Sequence, residues 1–302
     1  MTLIIRVAAV IGGLILLVVP CFSQQPESSH FPFYWDQQLS SAQSPKPAPA
    51  HSLPAGVRTE EVKFDGAGVK LAGTLYLPKL EAGKRAPAVL ILAASGPAPR
   101  DGVPFGKIMH YTYRDIAEHL ATRGMVVFSY DQRCVGASGC KPKNIFDDYI
   151  NDAQEALNYV RGRPEVDPTR VALFGHGEGG FIAGTLGSQD PKLAGVVFAA
   201  SPGRTLGKVL HDQIQFRLKE LGRPEAEIKS YLGKLDQISA GMAMGKLDFS
   251  AEKIDPQDAL LTELTKWSEY YAGWMINDPL QLARQPFHDL TGRLWFFSQD
   301  RG

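Results

Sequence analysis

The chain has 302 residues, 44% of them hydrophobic, with 32 basic and 32 acidic side chains and a pI near 7.1. That is enough apolar material for one sizeable core, and so balanced a charge offers no footprint for nucleic acid or another polyanion.

Met1 to Arg6 form a short basic start, Val7 to Val19 an apolar run too short for a comfortable membrane span, and Cys21-Phe22-Ser23 offers small residues for cleavage. This pattern predicts a secretory signal peptide over residues 1–23, and hence a periplasmic or secreted protein with no membrane span once the leader is cut. A lipid-modified Cys21 and an uncleaved anchor are the alternatives, the first opposed by Pro20. Residues 24–55 are rich in Gln, Ser, Pro and Ala and read as a disordered linker. Within them Phe31, Phe33, Tyr34 and Trp35 cluster, either to dock on the domain or as a sticky spot in the tether.

Residues 56–302 read as one domain. Arg58 to Phe64 and Val69 to Leu77 alternate polar and apolar residues around Asp65-Gly66-Ala67-Gly68, an antiparallel hairpin. Ala88 to Ala94 is continuously apolar, as a strand covered on both faces should be. After the loop Ser95-Gly96-Pro97-Ala98-Pro99-Arg100-Asp101-Gly102, Tyr113, Ile116, Ala117, Leu120 and Ala121 recur at helical spacing. Met125 to Tyr130 is the next strand, and Phe146, Ile150, Ala153, Leu157 and Val160 the next helical stripe. Strands and helices in alternation imply an α/β protein with a mostly parallel sheet. Residues 204–285 interrupt the alternation with helical periodicity, a first helix around Val209 to Leu221 and another around Leu260 to Ile276. Helices inserted there commonly cap the site at the strand ends. Gly292 to Phe297 resumes as a strand.

The organising stretch is Val171 to Gly180, Val-Ala-Leu-Phe-Gly-His-Gly-Glu-Gly-Gly. A strand breaks at Gly175 and a buried helix carrying Phe181, Ile182, Ala183 and Leu186 follows Gly180: strand, sharp turn, helix. This is the layout of a nucleophile elbow, G-x-S-x-G, in which a strained turn presents a hydroxyl clear of the sheet. Gly175 and Gly179 take the glycine positions, and Gly177 stands at the serine position. The same residues also spell G-x-G-x-x-G, but a dinucleotide site needs a carboxylate about twenty residues on. The strand Ala194 to Ala200 ends in Ala199-Ala200-Ser201-Pro202 instead. No cofactor is expected.

Four stretches together resemble an α/β-hydrolase, and within that superfamily the bacterial secreted carboxylesterases of the EstD group and related serine-aminopeptidase-like hydrolases. They are Ser95-Gly96-Pro97 with Arg100-Asp101; Tyr130-Asp131-Gln132-Arg133 with Gly136 and Ser138; Glu165-Val166-Asp167-Pro168-Thr169-Arg170; and Gly175-His176 with Glu178-Gly179-Gly180. The resemblance implies acyl transfer on a small ester by serine, acid and histidine in that chain order. It places the acid at Asp300 and the oxyanion amides at Ser95 and Glu178, although Ala93-Ala94 replace the usual His-Gly. The histidine would follow Gly302, since His176 and His288 fall outside its place in the order. The expected fold is therefore truncated after the strand that precedes the acid, leaving Leu294, Trp295, Phe296 and Phe297 as an edge open to a protein partner or self-association. In an exported protein Cys134 and Cys140 either close a short disulfide or remain free thiols. Cys134 as a substitute nucleophile lacks a paired histidine.

On this reading the chain is an exported carboxylesterase-type protein that is defective in catalysis. A non-catalytic ligand-binding or scaffolding module, and a working hydrolase with another nucleophile, are the alternatives.

Overall fold

The computed structural model describes residues 51–96, 98–105, 108–278 and 294–297. The leader, most of the linker, Asp300 and His288 lie outside them.

β1 (Val57–Asp65) and β2 (Lys70–Pro78) form the expected antiparallel hairpin, in register from Val57 opposite Pro78 to Asp65 opposite Lys70. β3 (Ala86–Leu92) follows, then a small pair the sequence did not suggest, β4 (Val103–Phe105) and β5 (Ile108–His110). Next come α1 (Thr112–Thr122), β6 (Val126–Tyr130), α2 (Phe146–Arg161), β7 (Val166–His176), α3 (Glu178–Gln189) and β8 (Gly195–Ala199). The main sheet runs β1-β2-β6-β3-β7-β8 and ends in β9 (Leu294–Phe297). β2 meets β6 antiparallel, and each pair beyond it is parallel.

The period of two along the strands sorts the core into two faces. Ala88, Leu90 and Leu92 of β3 and Val126, Phe128 and Tyr130 of β6 point to the side covered by α2 and α3. Ile91 and Val127 point the other way, onto Tyr113, Ala117 and Ala121 of α1. Both faces being covered explains why these strands read as continuous apolar runs.

One strand boundary differs from the sequence reading. β7 begins at Val166, and its pairing with β3 jumps from Ala86–Val166 to Ala88–Val171. Asp167 to Arg170 form the resulting outward excursion, closed by Asp167 Oδ1 accepting from the Thr169 amide at 3.0 Å. The stretch that resembled a lead-in to the elbow is thus a bulge within its strand.

The cap consists of α4 (Leu206–Glu220), α5 (Glu225–Ala243), α6 (Ala259–Lys266) and α7 (Ser268–Ile276). The sequence delimited α4 approximately, left α5 unmarked and fused α6 with α7. The break falls at Trp267 (φ −108°, ψ 32°). There Ser268 is buried and its hydroxyl donates to the Leu247 carbonyl at 2.6 Å, which ties the start of α7 to the segment after α5. Among the described residues no helix is long and apolar enough to cross a membrane.

Candidate active site

Gly177 occupies the corner between β7 and α3 with φ 55° and ψ −114°, a region costly for any residue with a side chain. Its amide donates to the Ala199 carbonyl at 3.0 Å and its carbonyl accepts from the Gly180 amide at 3.1 Å, so the corner is pinned to β8 and to the first turn of α3. The flanking glycines serve close approach. A Cβ on Gly175 would lie 2.4 Å from the Gly179 carbonyl oxygen, and one on Gly179 would lie 2.1 Å from that of Leu92. Gly177 is different, because a Cβ there would meet only Ala94, at 3.3 Å from its Cβ. The Gly177 position is strained in backbone and open in space.

The loop after β3 abuts that position through Ala94. Tyr113 Oη accepts from the Ala94 amide at 2.8 Å and lies 2.9 Å from His176 Nδ1. Burial holds His176 below the ordinary imidazole pKa, so the ring is neutral and can accept the phenol's proton through Nδ1. One phenol therefore ties the loop, α1 and the elbow together, and the Ala94 amide is already committed. The Ser95 amide lies in this loop and the Glu178 amide opens α3.

The remaining motif residues are structural. Asp131 is buried, accepts from the Arg100 amide at 2.9 Å and from Arg100 Nη2 at 2.7 Å, and receives the Ala137 amide at 3.2 Å. Gly136 (φ 54°) passes so close that a Cβ would lie 2.4 Å from Asp131 Oδ2. Gln132 spans the loop after β3, donating to the Ala94 carbonyl and accepting from the Ala98 amide, both at 3.3 Å. Arg133, its side chain wholly buried, makes a two-pronged contact with Asp152 of α2 at 2.8 Å through Nε and Nη2. Cys134 follows at φ 65°, a conformation that favours glycine, and is bonded to Cys140 with Cα atoms 4.4 Å apart.

The sequence reading used only the amide of Glu178 and missed its side chain. The carboxyl is buried, accepts from Tyr270 Oη of α7 at 2.7 Å through Oε1, and has no partner at Oε2. Burial pushes its pKa up to about 8, so it is a neutral acid at pH 7. The visible signal was a carboxylate opening an otherwise apolar helix. Imidazole–carboxylate pairs do occur elsewhere, His211 with Asp236 at 2.8 Å on the cap and His51 with Glu118 at 2.8 Å beside α1. Among the described residues neither histidine hydrogen-bonds to the elbow, and no cluster of His, Cys, Asp and Glu could hold a metal ion. Chemically the corner can offer amides to a carbonyl oxygen, while Gly177 itself has no side-chain atom to attack its carbon.

Three comparisons bear on this geometry. The profile of the serine aminopeptidase S33 hydrolases matches residues 106–239. The chain is similar to esterase EstD of Thermotoga maritima, 29% identical over 239 residues, covering 78% of this chain and 51% of that protein. It is also similar to the uncharacterized protein PA2218 of Pseudomonas aeruginosa, 25% identical over 249 residues, covering 78% of this chain and 63% of that one. The crystal structure of PA2218 aligns with a TM-score of 0.45 at 21% identity, covering 82% of this chain and 78% of that one. The chain thus spans between about half and just under two thirds of the length of these curated relatives.

Proposed function

Because the chain is a member of the α/β-hydrolase superfamily, we propose that it is an exported carboxylesterase-type protein that holds small acyl esters or related molecules at the elbow without hydrolysing them. One observation carries the reading: Gly177 keeps the backbone of a nucleophile's corner and lacks the nucleophile. The substrate class follows from the similarity to the esterase EstD, about half of whose length the chain spans.

Magnitude supports the loss of turnover. Removing the attacking serine from such a site lowers turnover by about a million-fold, and amides and binding alone keep roughly a thousand-fold over water. Export is supported by the basic-then-apolar leader of residues 1–23 and by the Cys134–Cys140 bond, which persists in oxidising compartments.

The test is a fluorophosphonate label and a p-nitrophenyl butyrate assay on the full chain. The expected result is no label, hydrolysis at the buffer rate, and a raised Tm in the presence of the ester. Stoichiometric labelling or steady turnover would establish a nucleophile other than the one lost at Gly177, and an unchanged Tm would remove the binding role.

A further inference from the structure

Glu178 is a buried ionisable group for which ester binding has no use. It opens α3 next to Gly177, and its partner Tyr270 lies 92 positions away on the last described cap helix. That hydrogen bond is a direct polar tie between elbow and cap. Around it the packing is aromatic: Tyr270 meets Phe146 at 6.1 Å, Tyr149 at 5.5 Å and Trp274 at 6.1 Å between ring centroids, and Trp274 stacks on Phe181 at 5.2 Å.

We propose that Glu178 and Tyr270 form a latch that holds the cap on the elbow while Glu178 is protonated and releases α7 when it ionises. A neutral carboxyl bonded at Oε1 leaves one unpartnered polar atom in this shell and no charge. A carboxylate adds a buried charge whose Oε2 has no donor, and water must enter to solvate it. The other titratable groups that feel its charge are phenols: Tyr113 from α1, Tyr130 from β6, Tyr149 from α2, and Tyr270 and Tyr271 from α7. Burial raises the pKa of every one of them, so they stay neutral through the range in which Glu178 titrates. Beyond Tyr149, Arg133 pairs with Asp152 and Asp148, and Lys141 pairs with Asp148, so the cluster balances two cations against two carboxylates. The positive end of α3 favours the carboxylate, yet the carboxyl pKa remains raised, so burial outweighs it. Water reaches Oε2 most directly by α7 lifting from α3, since Tyr270 is the group bonded to the carboxyl. On the outer side α7 is tied to the body by the exposed Lys143–Glu269 pair at 2.6 Å, which solvent screens.

The latch does not depend on ester turnover, so its test reads motion instead. Hydrogen exchange is followed in the full chain at about pH 6 and about pH 9, corrected for base-catalysed chemical exchange, with β3 amides as the reference. Between about pH 6 and about pH 9 the ionised fraction of a carboxyl with a pKa of about 8 rises from about one in a hundred to about nine in ten, so α7 protection is expected to fall about ninetyfold while β3 stays constant. Glu178→Gln is expected to show no such fall, and Tyr270→Phe to lower α7 protection already at the acid end. If α7 protection in the unmodified chain is equal at both pH values, the latch is wrong whatever the variants do. An equal fall in Glu178→Gln, or a parallel fall in β3, overturns it as well.

Discussion

Gly175, Gly177 and Gly179 are indistinguishable as letters and are held for different reasons. Gly179→Ala drives a Cβ to 2.1 Å from a β3 carbonyl oxygen that cannot retreat, and Gly175→Ala meets the α3 backbone in the same way. We expect each to cost about 3 kcal/mol or more in urea unfolding, at the severe end for single changes. Gly177→Ala adds only the left-handed penalty and one tight methyl contact, about 1–2 kcal/mol. Gly177→Ser should fold equally well and still fail to hydrolyse p-nitrophenyl butyrate. The neighbouring His176 offers its Nδ1 to Tyr113, and among the described residues no other imidazole hydrogen-bonds at the elbow. Turnover by this variant would reveal a base outside that set. Glu178 gives a separate handle on stability. Its pKa rises from an ordinary 4.5 to about 8 in the folded chain, so its contribution is full below about pH 4.5 and is lost as pH climbs through 8. Urea midpoints should fall over that window in the native protein and flatten in Glu178→Gln.

The loop after β6 shows how one element can substitute a bond for a residue. Cys134 adopts φ 65° with a side chain attached, and the bond to Cys140 holds it there. Replacing both by serine removes the crosslink and leaves the strain. Replacing Cys134 by glycine and Cys140 by serine removes both, so the glycine variant should be the more stable by about 1 kcal/mol. Next to it, Asp152→Ala leaves the wholly buried Arg133 guanidinium with Asp148, at 3.4 Å, as its remaining carboxylate and should cost about 3 kcal/mol. Elements were legible where apolar period and punctuation agreed. The hairpin around Gly66 and Gly68, β3, β6, α1 and α2 fall within two residues of the sequence reading. They were not legible where long-range contact decided. The kink at Trp267 depends on Ser268 meeting Leu247, and β4 and β5 are too short to show a period. Gly233 and Gly241 interrupt α5 in the sequence, although Ile228, Leu232, Leu235, Ile238 and Met242 keep its buried stripe.

Over the whole molecule, motif residues that resemble catalytic landmarks act as fasteners. Asp131, Gln132 and Arg100 join the loop after β3 to the loop after β6, and Arg133 joins the latter to α2. The corner glycines were legible because covalent geometry restricts them. The Tyr113 and Tyr270 contacts were not, because each couples residues more than sixty positions apart. At this scale charge also matters. With 32 basic and 32 acidic residues the chain has little long-range repulsion near neutral pH, while Met244, Leu247, Ile276 and Ile145 are exposed and three of them line an apolar groove between α5 and α7. A Met244→Lys, Ile276→Glu double variant leaves net charge unchanged and should lower self-association in a light-scattering concentration series at pH 7. No difference would assign association to another surface.

The open space beside Gly177 has a genetic consequence. Glycine and serine codons can differ by a single base, and the walls of this corner would yield only a few tenths of an ångström to the new side chain. Serine at this position would therefore need no rebuilding of its surroundings, so mutation can reach the hydroxyl form repeatedly. Its persistence as glycine in any lineage then measures selection on what the protein does against a backbone penalty of about 1–2 kcal/mol.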